Sequence, residues 1–390
     1  MNLTVQRYLL AFVAVLCAGC SASKEFQGFS YDPPGATVTT AKEIVPQHRR
    51  TIGVRETGVW VTNEFKGARL SDFYRVNDSL YRAVIRPENA PINNSPWYGF
   101  KAWSENPRQV WIELEYEEGE HRYYPDISRD GRSWSPIDSA AYRSDTLAGT
   151  AKLRLNLSSD TLWVGAQEII GQNIYDWWAS NLGEYPFVRR DTVGFSHQGR
   201  PIEKMSITQA SDGQKRGVVL ITSRLHPPEI PGQMACFAFL ERITAFSELA
   251  TLFRNQFEVI AFPFANPDGA DNGHWRHNAG GVDLNRDWTD FNQPETRAIR
   301  DYLLREVKTD SLRTVYYGID FHSTDENIFY PINRSIDTFP DDFSFALIDS
   351  IQTAFPEVDF AVEPFDTSSP ITKNWIFRTF GADALTYEVN

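Results

Sequence analysis

At roughly 150 residues per domain, a chain of 390 residues makes two or three domains rather than one. Hydrophobic residues at 42% and aromatic residues at 14% supply ample core material, which excludes general disorder. The 38 Lys and Arg against 51 Asp and Glu leave a net charge of −13 without any basic block, so no nucleic-acid partner is expected.

The first predicted element is a targeting segment. Arg7 supplies a positive n-region, Tyr8 to Leu16 form an apolar run, and Ala18 and Gly19 precede Cys20. The run is shorter than the ~20 residues a bilayer-spanning helix needs. It resembles a bacterial lipoprotein signal, over residues 1–19. That resemblance implies lipidation at Cys20 and export, with the protein held to a bacterial membrane, at its periplasmic side or the cell surface, by the N-terminal lipid alone. Cys17 stands where such signals usually have Leu, so an ordinary secretory peptide is the alternative; export holds under both. Cys236 is then the only thiol of the mature chain, and its neighbours Met234, Phe237 and Phe239 mark it as core filler.

Residues 20–50, with Pro33-Pro34-Gly35 and a Thr-rich stretch from Thr37 to Thr40, read as a tether. Period-2 patterning follows. Val110, Ile112, Leu114 and Tyr116 alternate with Trp111, Glu113 and Glu115, and Leu153, Leu155 and Leu157 alternate again. Glu118-Gly119 and Asp130-Gly131 supply turn chemistry. Short strands at this spacing predict an antiparallel β-sandwich over residues 51–165. It carries no cluster of His, Cys or carboxylates, and is expected to pack or to frame substrate. Residues 166–189 form a helical linker, with a helix over 167–181 and Gly183 after it.

From about residue 190 the pattern becomes mixed. Val218 to Ile221 form a continuous apolar run of the kind buried strands show, and Phe257–Phe264 and Thr314–Phe321 read as further strands. Helices are expected over 234–246 and 295–307. Residues 190–390 are therefore an α/β domain, with a mixed, mostly parallel central sheet flanked by helices.

His226-Pro227-Pro228-Glu229 leaves the end of the first of these strands, the edge where ligands collect in open α/β sheets. An imidazole and a carboxylate suit Zn²⁺, and His322, at the end of another strand, is a candidate third ligand. Between them stand Asn266-Pro267-Asp268-Gly269, Arg276-His277-Asn278 and Gly281-Val282-Asp283-Leu284-Asn285-Arg286-Asp287. Asp320-Phe321-His322-Ser323 and Thr386-Tyr387-Glu388-Val389 follow. In this order the segments resemble the M14 zinc carboxypeptidases over residues 190–390, with Gly199-Arg200 matching the family's entry strand. The preceding sandwich suggests the cytosolic-carboxypeptidase-like branch.

The resemblance implies one Zn²⁺ per chain, held by His226, Glu229 and His322, with Asp283 orienting the first imidazole. It implies that Arg276 stabilises the oxyanion, that Asn285 and Arg286 grip the substrate's terminal carboxylate, and that Glu388 is the general base. It also aligns Lys373 with the base of the specificity pocket, which predicts a preference for acidic C-terminal residues. The expected activity is zinc-dependent removal of C-terminal residues from peptides that carry a free C-terminal carboxylate. The alternatives are a zinc amidohydrolase acting on peptidoglycan stem peptides or N-acyl amino acids, and a non-catalytic surface-binding lipoprotein.

Other residues are expected to be structural. Asp268 reads as a turn residue, His274 and His277 as loop or rim histidines, and His48, His121 and His197 as structural or exposed. The family's mobile Tyr falls on Asp366, beside Phe365, and neither Tyr330 nor Tyr387 has the right spacing. The family continues past its glutamate into a terminal helix, so a sequence ending at Asn390 is expected to be truncated.

Overall fold

The computed structural model describes residues 42–364 and 367–390, so the signal segment, Cys17, Cys20, Phe365 and Asp366 lie outside it. Strands β1 (Thr51–Val54), β2 (Val59–Thr62), β3 (Asp72–Arg75), β4 (Leu80–Ile85), β5 (Gly99–Ser104) and β6 (Arg108–Tyr116) open the chain. They are followed by β7 (Asp126–Ser128), β8 (Trp134–Pro136), β9 (Tyr142–Asp145), β10 (Thr150–Leu157) and β11 (Leu162–Gly165). Two sheets result, ordered β1-β2-β5-β11-β7-β8 and β3-β4-β6-β10-β9. Alternation decides their faces. Val110, Ile112 and Leu114 of β6 are fully buried, with Ile112 opposite Leu153 and Val110 opposite Leu155 on β10. A slip of one residue would turn this whole set toward solvent. Buried side chains of both sheets, among them Val61, Phe100 and Val164 from one and Tyr81, Ile112 and Leu153 from the other, belong to one apolar cluster.

One pairing departs from the antiparallel expectation: β4 and β6 run parallel. Between them the chain leaves to form β5 in the other sheet, and such a crossover lets the next strand run in the same direction. The tether expectation also fails over residues 42–50. Lys42 N donates to Gly281 O at 3.0 Å, Gln47 Nε2 to the Ala68 and Asn272 carbonyls, and Arg49 Nη2 to Asp271 O at 2.7 Å. This segment runs along the seam between the two halves of the molecule.

After the helix Gln172–Gly183 comes the third sheet. Its strands are β12 (Val188–Phe195), β13 (Pro201–Ile207), β14 (Arg216–Ser223), β15 (Phe257–Phe262), β16 (Arg313–Ser323), β17 (Ile328–Pro331), β18 (Ala361–Val362) and β19 (Asp383–Val389). The order is β12-β13-β15-β14-β16-β19-β17-β18. β15, β14, β16 and β19 are mutually parallel neighbours, as are β17 and β18, while β12–β13, β13–β15 and β17–β19 pair antiparallel. The sheet is mixed, with its parallel strands at the centre.

The unbroken apolar run of β14 has a direct cause. Val219 and Ile221 enter the cluster that holds Ile230, Phe237 and Leu240 of the helix Ile230–Thr244. Val218 and Leu220 enter a second cluster with Ile299, Trp375 and Ile376 from helices Pro294–Tyr302 and Thr372–Phe380. Both faces are covered, so the run from Val218 to Ile221 is apolar throughout. Cys236 lies in the first cluster, and burial pushes its thiol up, which fits filler rather than a nucleophile.

Two glycines permit close approaches that position the site. A Cβ on Gly232 would lie 2.4 Å from the His322 carbonyl oxygen, so the Ile230–Thr244 helix packs directly on β16. Gly273 ends the helix Pro267–Asn272 at φ 66°, and a Cβ there would meet the Ala68 carbonyl oxygen of the N-terminal half at 2.4 Å. No helix among the described residues is long and apolar enough to cross a membrane.

Candidate metal centre and its pocket

Because β14, β16 and β19 are parallel and adjacent, their C-terminal ends open on one edge. Past the end of β14 the chain turns through Arg224, at φ 59°, whose guanidinium bonds Pro227 O at 2.6 Å and Gln233. Asn266 Nδ2 donates to Leu225 O at 3.0 Å from the neighbouring loop. That turn presents His226 and Glu229, and β16 presents His322. Glu229 Oε1 lies 2.7 Å from His226 Nδ1, and Glu229 Oε2 2.7 Å from His322 Nδ1. One ligand atom from each of the three residues falls within 4.8 Å of the others.

The outer ring nitrogens fix which atoms face inward. His226 Nε2 lies 2.9 Å from Asp283 Oδ1, and His322 Nε2 2.9 Å from Asp320 Oδ2. A ring N–H donated to a carboxylate leaves the other nitrogen's lone pair for a metal. Asp320 is in turn held by the Thr222 hydroxyl at 2.6 Å. Burial disfavours charge on His322, yet Asp320 and Glu229 hold its pKa well above the usual imidazole range. Burial likewise opposes ionising Glu229, and the two imidazoles nonetheless hold its pKa below the usual carboxylate range. Three carboxylates around two imidazoles thus favour a cation between the rings. Two nitrogens and a carboxylate suit Zn²⁺ at an open site, so these residues fit that ion.

His226 and Glu229 line a pocket of about 330 Å³, with Arg276, Asn285, Arg286, Tyr330, Thr386 and Glu388 on its other walls. Glu388 lies opposite His322 in the β16–β19 register. Its Oε2 is buried with no hydrogen-bond partner among the described residues, and burial, then the Glu229 charge, push its pKa up to about 7. Arg276 Nε and Nη2 both meet Asp283 Oδ2 at 2.8 Å, so one buried carboxylate ties this guanidinium to the His226 ring. Asn285 Nδ2 lies 3.1 Å from His322 Nε2, and its Oδ1 accepts from Thr372 N and Oγ1 at 3.0 and 3.1 Å. Arg286 Nη1 donates to Asn285 O at 2.8 Å.

The structure therefore brings His226, Glu229, His322, Asp283, Arg276, Asn285, Arg286 and Glu388 together. Lys373 stands apart. It is fully buried in the helix Thr372–Phe380 with Nζ 3.5 Å from Pro331 O, and Ile371, two residues earlier, lines the pocket instead. His274 and His277 lie in the loop that carries Arg276, as one of the two expectations had it, but both are buried rather than at a rim. Asp268 is buried and accepts from Ser196 Oγ and Gln198 N at 2.8 Å and from Arg200, so it braces the turn after β12.

Four features escaped the sequence reading. Asp320 stands in the same D-F-H-S segment as His322, two residues earlier on the same strand face, and that spacing could have found it. Tyr330 was set aside on spacing, but β17 is the neighbour of β19 and carries it to the pocket wall. Asn93, Asn94, Ser95 and Arg122 reach the pocket from loops of the N-terminal half, and Glu88 from that half meets the Arg276 loop. No local motif marks these last two contributions.

Residues 174–354 match the family model described as Peptidase_M14, zinc carboxypeptidase. The chain is 25% identical over 281 residues to cytosolic carboxypeptidase 6 of Caenorhabditis elegans, covering 66% of this chain and 61% of that protein. It is 27% identical over 140 residues to cytosolic carboxypeptidase 6 of Mus musculus, covering 34% of this chain and 26% of that one. The chain thus spans less than two thirds of the length of these relatives. The fold is shared with a crystal structure of a metallo-carboxypeptidase from Burkholderia cenocepacia, at 18% identity and a TM-score of 0.72, over 85% of this chain and 89% of that chain. The match to the zinc carboxypeptidase model takes in just under half of this chain, and cytosolic carboxypeptidases are among the proteins to which the chain is similar.

Proposed function

We propose that this protein is a zinc-dependent metallocarboxypeptidase acting on peptides with a free C-terminal carboxylate. One observation carries the reading: a buried carboxylate oxygen on Glu388, without a hydrogen-bond partner among the described residues, belongs to the same pocket as the donors His226 and Glu229 and the arginines Arg276 and Arg286. A Zn²⁺ ion held by those donors supplies Lewis-acid chemistry. Glu388 takes the proton of the attacking water and delivers it to the leaving amine. Arg276, clamped by Asp283, donates hydrogen bonds to the developing oxyanion. The Arg286 guanidinium, with the second N–H of Asn285, holds the substrate's terminal carboxylate.

Expected outcomes are about one zinc per folded chain and release of the terminal amino acid from an N-blocked dipeptide. Folded protein without zinc, or zinc-loaded protein that releases no terminal residue from any peptide, overturns the reading. We also propose a preference for acidic C-terminal residues, supported by Arg122 in the pocket wall rather than by Lys373. Export with lipid attachment at Cys20 is proposed from the sequence. Fatty-acid labelling that persists in Cys20→Ser would sink it.

A further inference from the structure

Arg276 is fixed from two sides. Asp283 holds its guanidinium, and a residue of the N-terminal half holds its backbone. Glu88, after β4, is fully buried, and its carboxylate accepts three successive amides. Trp275 N donates to Oε2 at 2.7 Å, and Arg276 N and His277 N to Oε1 at 3.0 and 2.9 Å. His277 Nδ1 lies 3.3 Å from the same Oε1. Burial opposes this charge, but the His277 ring beside it and the nearby His274 and Arg69 hold the carboxyl's pKa well below the usual range. Ionised acceptors of several backbone N–H groups form strong, directional contacts. The Trp275 indole adds a second anchor, donating to Trp97 O at 3.1 Å.

We propose that Glu88 is a positioning residue for Arg276: the N-terminal half supplies the carboxylate that sets the Trp275–His277 backbone, so that the Arg276 guanidinium meets the reacting carbonyl. The inference rests on the peptidase reading above. Without Glu88 three buried amides lose their acceptor and the turn must move. A displacement of about 1 Å in a group of this kind costs on the order of 100-fold in rate.

Glu88→Gln puts an NH₂ group where an acceptor stood. We expect kcat on an N-blocked dipeptide to fall about 100-fold with zinc content retained and KM changed less than about threefold. In an Arg276→Ala background the same change should cost less than about threefold, since Glu88 acts through Arg276. Wild-type protein that does not turn over sinks the peptidase reading itself. Active wild type beside an unimpaired Glu88→Gln, or equal losses in both backgrounds, overturns the positioning role alone. Hydrogen exchange on the wild type decides the matter should Glu88→Gln not fold. The Trp275, Arg276 and His277 amides should exchange as slowly as those of β14, and exchange as fast as the exposed turn at Gly213, between β13 and β14, overturns the proposal.

Discussion

The two halves of the molecule bury polar groups for different ends. In residues 188–390 the buried carboxylates and imidazoles gather at the ends of parallel strands, where His322 stands opposite Glu388 and Asp320 holds the His322 ring. In residues 51–165 the strands bury alternating apolar side chains, and the polar residues that matter, Glu88 and Arg122, sit in loops aimed across the seam. One half holds the candidate metal donors and Glu388, and the other fixes and frames the loops around them. Sheet direction explains the division. Parallel strands end together and can converge several side chains on one point. The mostly antiparallel sheets of the first half send successive strands in opposite directions, so their loops reach the site singly.

The largest effect should come from within the second half. Glu388→Gln keeps the shape of the base but removes its proton affinity. It should lower kcat by roughly 10²–10⁴-fold, with zinc content unchanged by metal analysis. A loss of that size from a pocket-rim residue of the first half would break the division.

Next comes the seam. Trp275 is fully buried, packs edge-on against Tyr116 at 6.4 Å and bonds Trp97 O. Trp275→Ala should cost about 3–5 kcal/mol in denaturant unfolding, the range for large buried aromatic deletions. A cost below about 1 kcal/mol would mean that the halves are only loosely joined.

A smaller, pH-dependent effect distinguishes the first half. Burial, then the Glu168 charge, push Asp126 of β7 up to about 6. The folded state therefore binds a proton that the unfolded chain has already lost between pH about 4 and 6. Its contribution to stability is present at the acid end of that window and is lost as pH rises through about 6. Asp126→Asn should accordingly narrow the stability difference between pH 5 and pH 7. An unchanged difference in thermal midpoints would show that Asp126 is solvated in the folded protein.

Legibility in the sequence followed the same division. The buried run of β14, the His226–Glu229 turn and His322 could be read because each depends on local spacing and strand ends. The alternation of β6 gave its faces for the same reason. What escaped was long-range. The parallel β4–β6 pairing depends on where the chain goes between the two strands. Glu88 is 188 residues from Arg276, and nothing around it announces a partner. Lys373 was misplaced because aligning short segments says nothing about which way a helix turns its residues. Here the helix starts at Thr372, so Ile371 faces the pocket and Lys373 the interior.

The smallest expected effect tests whether the frame also selects. Arg122 is the cation that the first half contributes to the pocket. Its Nε pairs with Asp325 at 2.9 Å, Nη1 bonds Asn94 O at 3.0 Å, and Nη2 meets Thr324 Oγ1 at 3.3 Å. These contacts hold the guanidinium at the mouth while Asp325 offsets part of its charge, so its pull on a substrate carboxylate is modest. A partly exposed ion pair contributes about 0.2–1 kcal/mol, which caps the effect at about fivefold. Arg122→Gln should therefore lower the ratio of kcat/KM for Glu-terminal over Leu-terminal peptides by about two- to fivefold, leaving Leu-terminal turnover in place. Added salt should shrink the wild-type ratio in the same direction, since charges at a pocket mouth are screened over about 8 Å at physiological ionic strength. Lys373→Met, changing a residue that does not line the pocket, should leave the ratio unchanged. The opposite pattern, a ratio sensitive to Lys373 and indifferent to Arg122, would place selectivity wholly in the second half and reduce the first to a support for Arg276.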